Sequence, residues 1–260
     1  MKARLLLVGS ALLGASLGPS VHADERDASK RAALLEAYPG LFWFEGNELV
    51  WADGTRMVWD DRRERDAEAL IESPDIEDMF HYAYPVAEAG ALDPGVNEDP
   101  GRIRNEAFFR KLYGNSADEV EAKLASAHWV GSSRAQVTTL FDIDARLERV
   151  ARALEADPEL APYAESPGGG FNWRVISGTN LLSVHAFGAA FDINTEFADY
   201  WRWAKGNGSI TYRNRIPLDI VALFEGEGFI WGGRWYHYDT MHFEYRPELL
   251  IHSRSLGPEP

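Results

Sequence analysis

Cysteine is absent from the 260 residues. No disulfide can brace the fold, no thiolate can serve as nucleophile or metal ligand, and a lipidated N-terminal cysteine is excluded as an anchor. Cations are also scarce, with 26 Lys and Arg against 41 Asp and Glu, a net charge of -15. Such a surface repels phosphate backbones and anionic lipid headgroups, so nucleic acid is not expected as a partner. The excess acid is interspersed with basic residues and forms no acidic tail. Long apolar runs are missing too. The longest, residues 5–17, is interrupted by Gly9, Ser10, Gly14 and Ser16 and is too short to span a bilayer comfortably, so no stable membrane insertion is expected. No internal repeat and no low-complexity segment is present.

What the chain does have is apolar mass. Hydrophobic residues make up 45%, including 9 Trp, 10 Tyr and 13 Phe, enough to pack one large domain or two modest ones. Lys2 and Arg4 precede the short apolar run, and Val21-His22-Ala23 offers small residues before the polar Asp24-Glu25-Arg26-Asp27. This is the pattern of a signal peptide, residues 1–23, cleaved after Ala23. It predicts an exported, periplasmic protein. Its removal takes away two cations and no acids, leaving 24 against 41 and a net charge of -17.

Periodicity predicts a helix over 26–38 with Ala32, Leu34, Leu35 and Tyr38 inward, ended by Pro39-Gly40. Strands follow at 41–44, 49–51 and 56–59 as hairpins. Trp43, Trp51, Trp59 and Tyr84 are read as core in preference to a ligand-binding aromatic wall. A short helix at 66–71 precedes the acidic stretch 75–85. There His81 lies near Asp75, Glu77 and Asp78, and a packing histidine is the better reading than a second metal site. Residues 89–101 read as a loop. Helices are predicted at 105–113, at 120–127 behind a Ser116–Glu119 capping box, at 138–155 and at 219–225. Residues 166–170 read as a flexible turn, 171–176 as a strand, 197–203 as a short helix and 205–208 as a turn. Residues 228–231 and 241–245 read as strands flanking a Gly232-Gly233 turn.

The chemistry gathers in two stretches. Ser183-Val184-His185-Ala186-Phe187-Gly188-Ala189-Ala190-Phe191-Asp192 supplies a histidine and, seven residues on, an aspartate, with small residues between them that permit close backbone packing. Asp239-Thr240-Met241-His242-Phe243-Glu244 supplies a second histidine with a carboxylate three residues before it. Two imidazoles and one carboxylate are a ligand set that catalytic zinc favours, because a fourth position stays open. His185, Asp192 and His242 are thus the candidate Zn2+ ligands, and Asp239 the candidate general base. Arg174, on the segment running into the His185 loop, is the candidate stabiliser of a developing oxyanion; the alternative for it is a surface salt bridge. Ser183 and His237 are candidate substrate contacts, against plain structural roles for both. Arg202, Arg213, Arg215 and Arg234 are further candidates to hold a substrate carboxylate.

Ser183-x-His185-x-x-Gly188-x-Ala190-x-Asp192, then Gly228-Phe229-x-Trp231-Gly232-Gly233-x-Trp235 and Asp239-x-Met241-His242-Phe243-Glu244, resembles the zinc D-alanyl-D-alanine carboxypeptidase family. That family includes VanY-type carboxypeptidases, related dipeptidases and phage endolysins that cut L-alanyl-D-glutamate bonds. The resemblance covers roughly residues 137–251. It implies a zinc peptidase acting on peptidoglycan stem peptides, with His185, Asp192 and His242 as ligands, Asp239 as base and Ser183 beside the substrate peptide. The family arginine usually lies further upstream and is followed by a glutamine, which the short segment from Arg174 to His185 lacks. The implied fold is α+β, a small antiparallel sheet flanked by helices as in Hedgehog and DD-peptidase domains, with an additional mainly helical N-terminal region. The expected organisation is a signal peptide (1–23), a helical and hairpin region of open role (24–135), a zinc peptidase domain (136–252) and a tail (253–260). D-Ala-D-Ala carboxypeptidase activity is the leading expectation. The alternatives are a peptidoglycan endopeptidase, a non-catalytic zinc-containing cell-wall binding module, and a zinc amidase or esterase.

Overall fold

The structure is a computed structural model describing residues 19–86, 94–204 and 210–257, with side chains from residue 25 onward. Most of the expected leader, part of the 89–101 loop, the turn at 205–208 and residues 258–260 lie outside the described residues. Among the described residues no helix is long and apolar enough to cross a membrane.

Helix α1 (Pro19–Ala37) buries Ala33, Leu34 and the following Tyr38, while Leu35 is exposed. The inward stripe is therefore turned one residue from the expected one, on the i, i+4 pair Leu34 and Tyr38. Strands β1 (Phe42–Glu45), β2 (Glu48–Trp51) and β3 (Arg56–Val58) form the expected antiparallel meander. Trp51, Trp59 and Tyr84 are core residues as expected, whereas Trp43 is exposed. Helix α2 (Ala67–Glu72) is N-capped by Asp66, whose carboxylate accepts from the Ala69 amide, satisfying one free N–H of the first turn. His81 stands apart from the acidic residues near it in sequence: Asp75 and Asp78 exchange hydrogen bonds through their backbone amides and face Arg65.

Helix α3 (Glu106–Tyr113) is capped by Asn105 and α4 (Ala117–Glu121) by Ser116. The chain then departs from expectation. Residues 124–127, read as helix, belong to β4 (Leu124–His128), paired antiparallel with β5 (Arg134–Thr138). Alanine and leucine suit a helix, but the ladder to β5 supplies backbone partners that local propensity does not anticipate. Helix α5 (Ile143–Glu155) begins later than predicted, because Phe141 and Asp142 adopt left-handed backbone with φ of 59° and 56°. Its buried stripe of Ile143, Leu147, Val150, Ala151 and Leu154 matches the periodicity.

The sheet that carries the site contains β6 (Pro167–Gly169), β7 (Ala190–Asn194), and, after α6 (Leu218–Gly226), β8 (Phe229–Trp231) and β9 (His242–Tyr245). Its order is β6-β7-β9-β8, antiparallel throughout. The expected strand at 171–176 is absent. Its residues bond across a narrow loop instead, Ile176 N to Leu181 O and Ser183 N to Arg174 O, and the glycine run before it is what pairs with β7. The expected helix at 197–203 is reduced to a turn at Thr195–Phe197 followed by irregular chain. Helix α7 (Pro247–Ser255) was not expected. Pro247 stands at its start, where a missing N–H costs nothing and the fixed φ favours the helix.

One hydrophobic cluster runs through the described chain, from Tyr38, Trp51 and Phe108 to Trp129, Phe191, Trp231 and Phe243. Polar contacts also tie residues before 105 to the site sheet and the helices beside it. Tyr38 Oη donates to Glu248 at 2.8 Å, Tyr84 Oη to Glu225 at 2.7 Å, and Trp235 Nε1 to the Pro100 carbonyl at 2.7 Å. Arg104 makes a two-pronged pair with buried Glu244 at 2.8 and 2.9 Å.

Candidate metal centre and cleft

Strands β7 and β9 place Asp192 directly opposite His242. Side chains of opposed residues lie on the same face of an antiparallel pair, and the period of two sends their neighbours the other way. Phe191 and Phe243 accordingly enter the core, where Phe243 stacks on Phe224 with centroids 3.8 Å apart, while Asp192, His242 and Glu244 share the cleft face. His185 reaches the same point from the 3-10 turn Val184–Phe187. That turn is fixed at both ends. Ser183 Oγ accepts from the His185 amide at 3.4 Å, and Gly188 ends it with φ of 64°. A Cβ on Gly188 would lie 2.7 Å from Leu124 and 3.0 Å from the Thr138 amide nitrogen, so both the conformation and the space there require glycine.

Three donor atoms converge. His185 Nε2 lies 3.2 Å from Asp192 Oδ1 and 3.2 Å from His242 Nδ1, and His242 Nδ1 lies 2.9 Å from Asp192 Oδ1. Tetrahedral ligands at zinc bond lengths stand roughly 3.3 Å apart, close to these separations. The tautomer fits as well. His185 Nδ1 is 2.7 Å from the Gly170 carbonyl, so Nδ1 carries the proton and donates it, leaving Nε2 as a lone pair toward Asp192. In the neutral ring that lone pair faces a carboxylate, a repulsive contact that a proton on Nε2 or a cation between the two relieves. Gly170 allows that backbone approach, since a Cβ there would meet the Gln136 carbonyl oxygen at 2.2 Å. Burial alone would raise the Asp192 carboxyl, but the adjacent imidazoles outweigh it and hold Asp192 well below the usual carboxylate range. The residues present fit a divalent metal with a preference for nitrogen and oxygen donors.

Asp239 lies in the turn entering β9. Its backbone N–H donates to Gly232 O at 3.0 Å, and its carbonyl accepts from the His242 amide at 3.2 Å. Its side-chain Oδ1 is buried without a hydrogen-bond partner among the described residues. Burial pushes this carboxyl up to about 6, with Asp192 adding to the rise and His242 opposing it. An unpartnered buried carboxylate oxygen is costly and calls for a role.

A cleft of about 280 Å³ joins these groups, lined by His185, Asp192, Asp239 and His242 together with Ser183, His237 and Arg174. The candidate metal ligands, base, oxyanion stabiliser and two substrate contacts therefore border one cavity. Arg174 is exposed and makes no side-chain hydrogen bond or ion pair among the described residues. Of the four other candidate arginines none lines this cleft. Arg215 pairs with Asp199, and Arg234 with Glu225.

Residues outside the two ligand motifs complete the walls or stand behind them. Asp99 accepts from the His237 amide at 2.8 Å and bonds His237 Nδ1 at 2.7 Å. Burial would raise the Asp99 carboxyl, but His237 and Arg102 hold it below its ordinary value. With Nδ1 held as donor, His237 presents Nε2 for the cleft. Arg102, Arg104 and Trp235 also line the cavity. Trp235 is wedged between the His242 ring, 5.7 Å away, and the Arg104 guanidinium, 5.6 Å away. Asp99, Arg102 and Arg104 come from the loop before α3, where no spacing signals them; only the density of charge and the Pro100-Gly101 turn mark the stretch.

No curated protein and no solved structure matches the chain. Residues 177–245 match the family model described as D-alanyl-D-alanine carboxypeptidase, the family that the His185-to-Asp192 and Asp239-to-His242 motifs resemble, and this stretch is accordingly carboxypeptidase-like, of metallopeptidase type.

Proposed function

We propose that this protein is an exported, periplasmic zinc peptidase that removes the terminal D-alanine from peptidoglycan stem peptides. The observation that carries the reading is the meeting of His185 Nε2, Asp192 Oδ1 and His242 Nδ1 within 3.2 Å in a cleft that also contains the unpartnered Asp239 carboxylate. His185, Asp192 and His242 would hold the zinc, which when bound supplies Lewis acidity toward water and the scissile carbonyl. Asp239 accepts a proton from the attacking water. The hydroxyl adds to the carbonyl carbon, the C–N bond breaks, and Asp239 returns the proton to the leaving amine, so the base is regenerated. Arg174, whose side chain has no hydrogen-bond or ion-pair partner among the described residues and which lines the cleft, offers its guanidinium to the carbonyl oxygen as negative charge develops there. His237, held through Nδ1 by Asp99, accepts a hydrogen bond from a substrate N–H at Nε2. Ser183 orients the His185 turn.

The test is mass spectrometry of defined pentapeptide stems incubated with the mature protein, with and without a chelator. Loss of one terminal alanine, abolished by chelation and restored by zinc, is the expected result. Asp239→Asn should retain zinc and lose turnover between about 10²- and 10⁴-fold, the range of general-base contributions. Cuts within the stem or at a cross-link would replace the carboxypeptidase with an endopeptidase. Absence of any cleavage with zinc bound would sink the enzyme reading in favour of a binding module.

A further inference from the structure

Arg174 sits at the root of a small hairpin, residues 174–183, that is braced from within. Its two arms are joined by Ser183 N–H to Arg174 O at 3.0 Å and Ile176 N–H to Leu181 O at 2.8 Å. At the tip, Thr179 Oγ1 donates to Ile176 O at 2.9 Å and accepts from the Leu181 amide at 3.2 Å. Val175 and Leu182 are opposed between the two ladder bonds, so the Leu182 amide points away from the partner arm. Arg174 and Ser183 share the other face of the ladder, and both line the metal cleft. The aim of Arg174 is therefore set by how the whole hairpin is seated.

Helix α3 takes up the outward amide. Glu106 Oε2 accepts from Leu182 N–H at 2.9 Å, and its Oε1 accepts from Arg110 Nε at 2.7 Å, one turn further along the helix. The Arg110 guanidinium lies 5.9 Å from the centre of the Trp173 ring, next to Arg174 in the chain. One ion pair on α3 thus touches both ends of the hairpin. The helix is a fixed base, because Phe108, Phe109, Leu112 and Tyr113 bury its inner side. Packing beneath the hairpin is less complete: Ile176, Leu181 and Leu182 border a cavity of about 40 Å³ beside Phe109 and Phe187. Arg102 and Arg104 border that cavity too, but they are committed to Asp99 and Glu244. At its tip the hairpin is tied by Arg202 Nη2 to Ser177 O at 3.2 Å, an exposed bond. Glu106 lies outside the segment with the family match, which begins at residue 177.

We propose that Glu106 is a positioning residue for the oxyanion step: by holding the Leu182 amide it fixes the tilt of the hairpin, and so the reach of Arg174 into the cleft. The proposal rests on the peptidase reading given above, and within it on Arg174 as the partner of the developing oxyanion. Glu106 does not border the metal cleft, so it acts through Arg174 alone. The region before residue 136 thereby has a part in the reaction.

The test compares Glu106→Ala, Glu106→Gln, Arg174→Ala and Glu106→Ala/Arg174→Ala as zinc-loaded full chains acting on a pentapeptide stem. In Glu106→Ala, kcat should fall about tenfold to a hundredfold, with KM and zinc affinity within about twofold of wild type. Glu106→Gln keeps an oxygen for the Leu182 amide, while Arg110, still bonded to the Asn115 carbonyl, turns away from the new NH2. Most of the rate should therefore return. The double variant should be no slower than Arg174→Ala, because the two residues act as one unit. Exchange of the Leu182 amide proton, followed by NMR, should speed up about tenfold in Glu106→Ala and stay near wild type in Glu106→Gln. Equal losses from alanine and glutamine, losses that multiply in the double variant, a parallel fall in zinc affinity, or an unchanged Leu182 exchange rate would each overturn the proposal. So would an Arg174→Ala enzyme as fast as wild type. Cleavage by wild type with unaltered Glu106→Ala kinetics removes the role of Glu106 alone. A wild-type chain that cleaves nothing removes the peptidase and the oxyanion step with it, while Leu182 exchange still decides whether Glu106 seats the hairpin.

Discussion

Two regions form the cleft by different means. The metal-facing side is local: Asp192 and His242 are cross-strand partners on β7 and β9, and His185 comes from the turn that leads into β7. The opposite side is remote: Arg102 and Arg104 line the same cavity and Asp99 holds its His237, all from more than 130 positions before His237. In the first region, backbone pairing alone sets the geometry, so a handful of residues in a short motif suffice. In the second, the side chains are placed by tertiary bonds, Asp99 to His237 and Arg104 to Glu244, each of which needs both halves of the chain in place. A site of this kind keeps its chemistry in the local region and adjusts its surroundings through the remote one.

The sharpest way to break the comparison is to cut the strongest tie between the regions. Glu244 is fully buried and accepts both prongs of Arg104. Arg104→Met leaves an uncompensated carboxylate on the site sheet, next but one to His242, and should cost about 3–5 kcal/mol in urea unfolding. The double variant Arg104→Met/Glu244→Met removes both charges and should recover most of that loss. If the single variant is as stable as wild type, the two regions are held by apolar packing and the ion pair is incidental.

A smaller effect sharpens the comparison within the site. Asp99 uses one oxygen for the His237 amide and the other for Nδ1. In Asp99→Asn the amide oxygen keeps the backbone bond, so the NH2 faces Nδ1, displaces the part-exposed Arg102 guanidinium that donates to the same position at 2.9 Å, and favours the opposite tautomer, with the proton on Nε2. The His237 face toward the cleft then changes from acceptor to donor without a change of shape. A fall in kcat/KM of about tenfold is expected, near 1.4 kcal/mol, with zinc affinity unchanged. Imidazole nitrogen shifts by NMR would report the tautomer directly. An unaltered Nε2 shift would show that Asp99 does not set it.

The difference between the regions also explains what could be read in the sequence. The meander β1–β3 and the α5 stripe follow from short-range pattern, because period and spacing act over a few residues, whereas the meeting of His185 and Asp192 with His242, 50 positions beyond Asp192, was legible only from two separate motifs read together. Gly188 and the small residues around it gave the His185 turn away. Residues 124–128 did not, because alanine-rich sequence favours helix until β5 is beside it. Residues 167–169 looked like flexible glycine, yet they pair with β7, and a Cβ on Gly168 would come within 2.9 Å of the Asp192 Cβ. Close approach was the purpose of those glycines, visible only once the partner strand is known. Asp99 and Arg104 carry no local signal at all, since each is defined by a partner more than 130 residues away.

The smallest expected effect lies far from the cleft, where α1 meets α7. His252 Nδ1 is 3.1 Å from Ser29 Oγ, and the ring packs edge-on against Phe80 at 5.4 Å. Burial, with Lys30 adding, lowers its titration to about 4, against about 6.5 for a histidine in an unfolded chain. Between those values the unfolded chain binds a proton that the folded chain does not, so stability rises with pH across that window. The contribution is fully present above pH ~6.5 and is lost as pH falls toward about 4. His252→Gln keeps a polar group at the Ser29 contact and removes the titration. Its thermal midpoint should therefore fall less than the wild-type midpoint between pH 6.5 and 4.5, by a few degrees, the scale of about 1 kcal/mol for a domain of this size. Parallel curves for the two proteins would place the acid sensitivity elsewhere, among the paired carboxylates such as Glu244 and Asp99, whose protonation would loosen the remote wall of the cleft first.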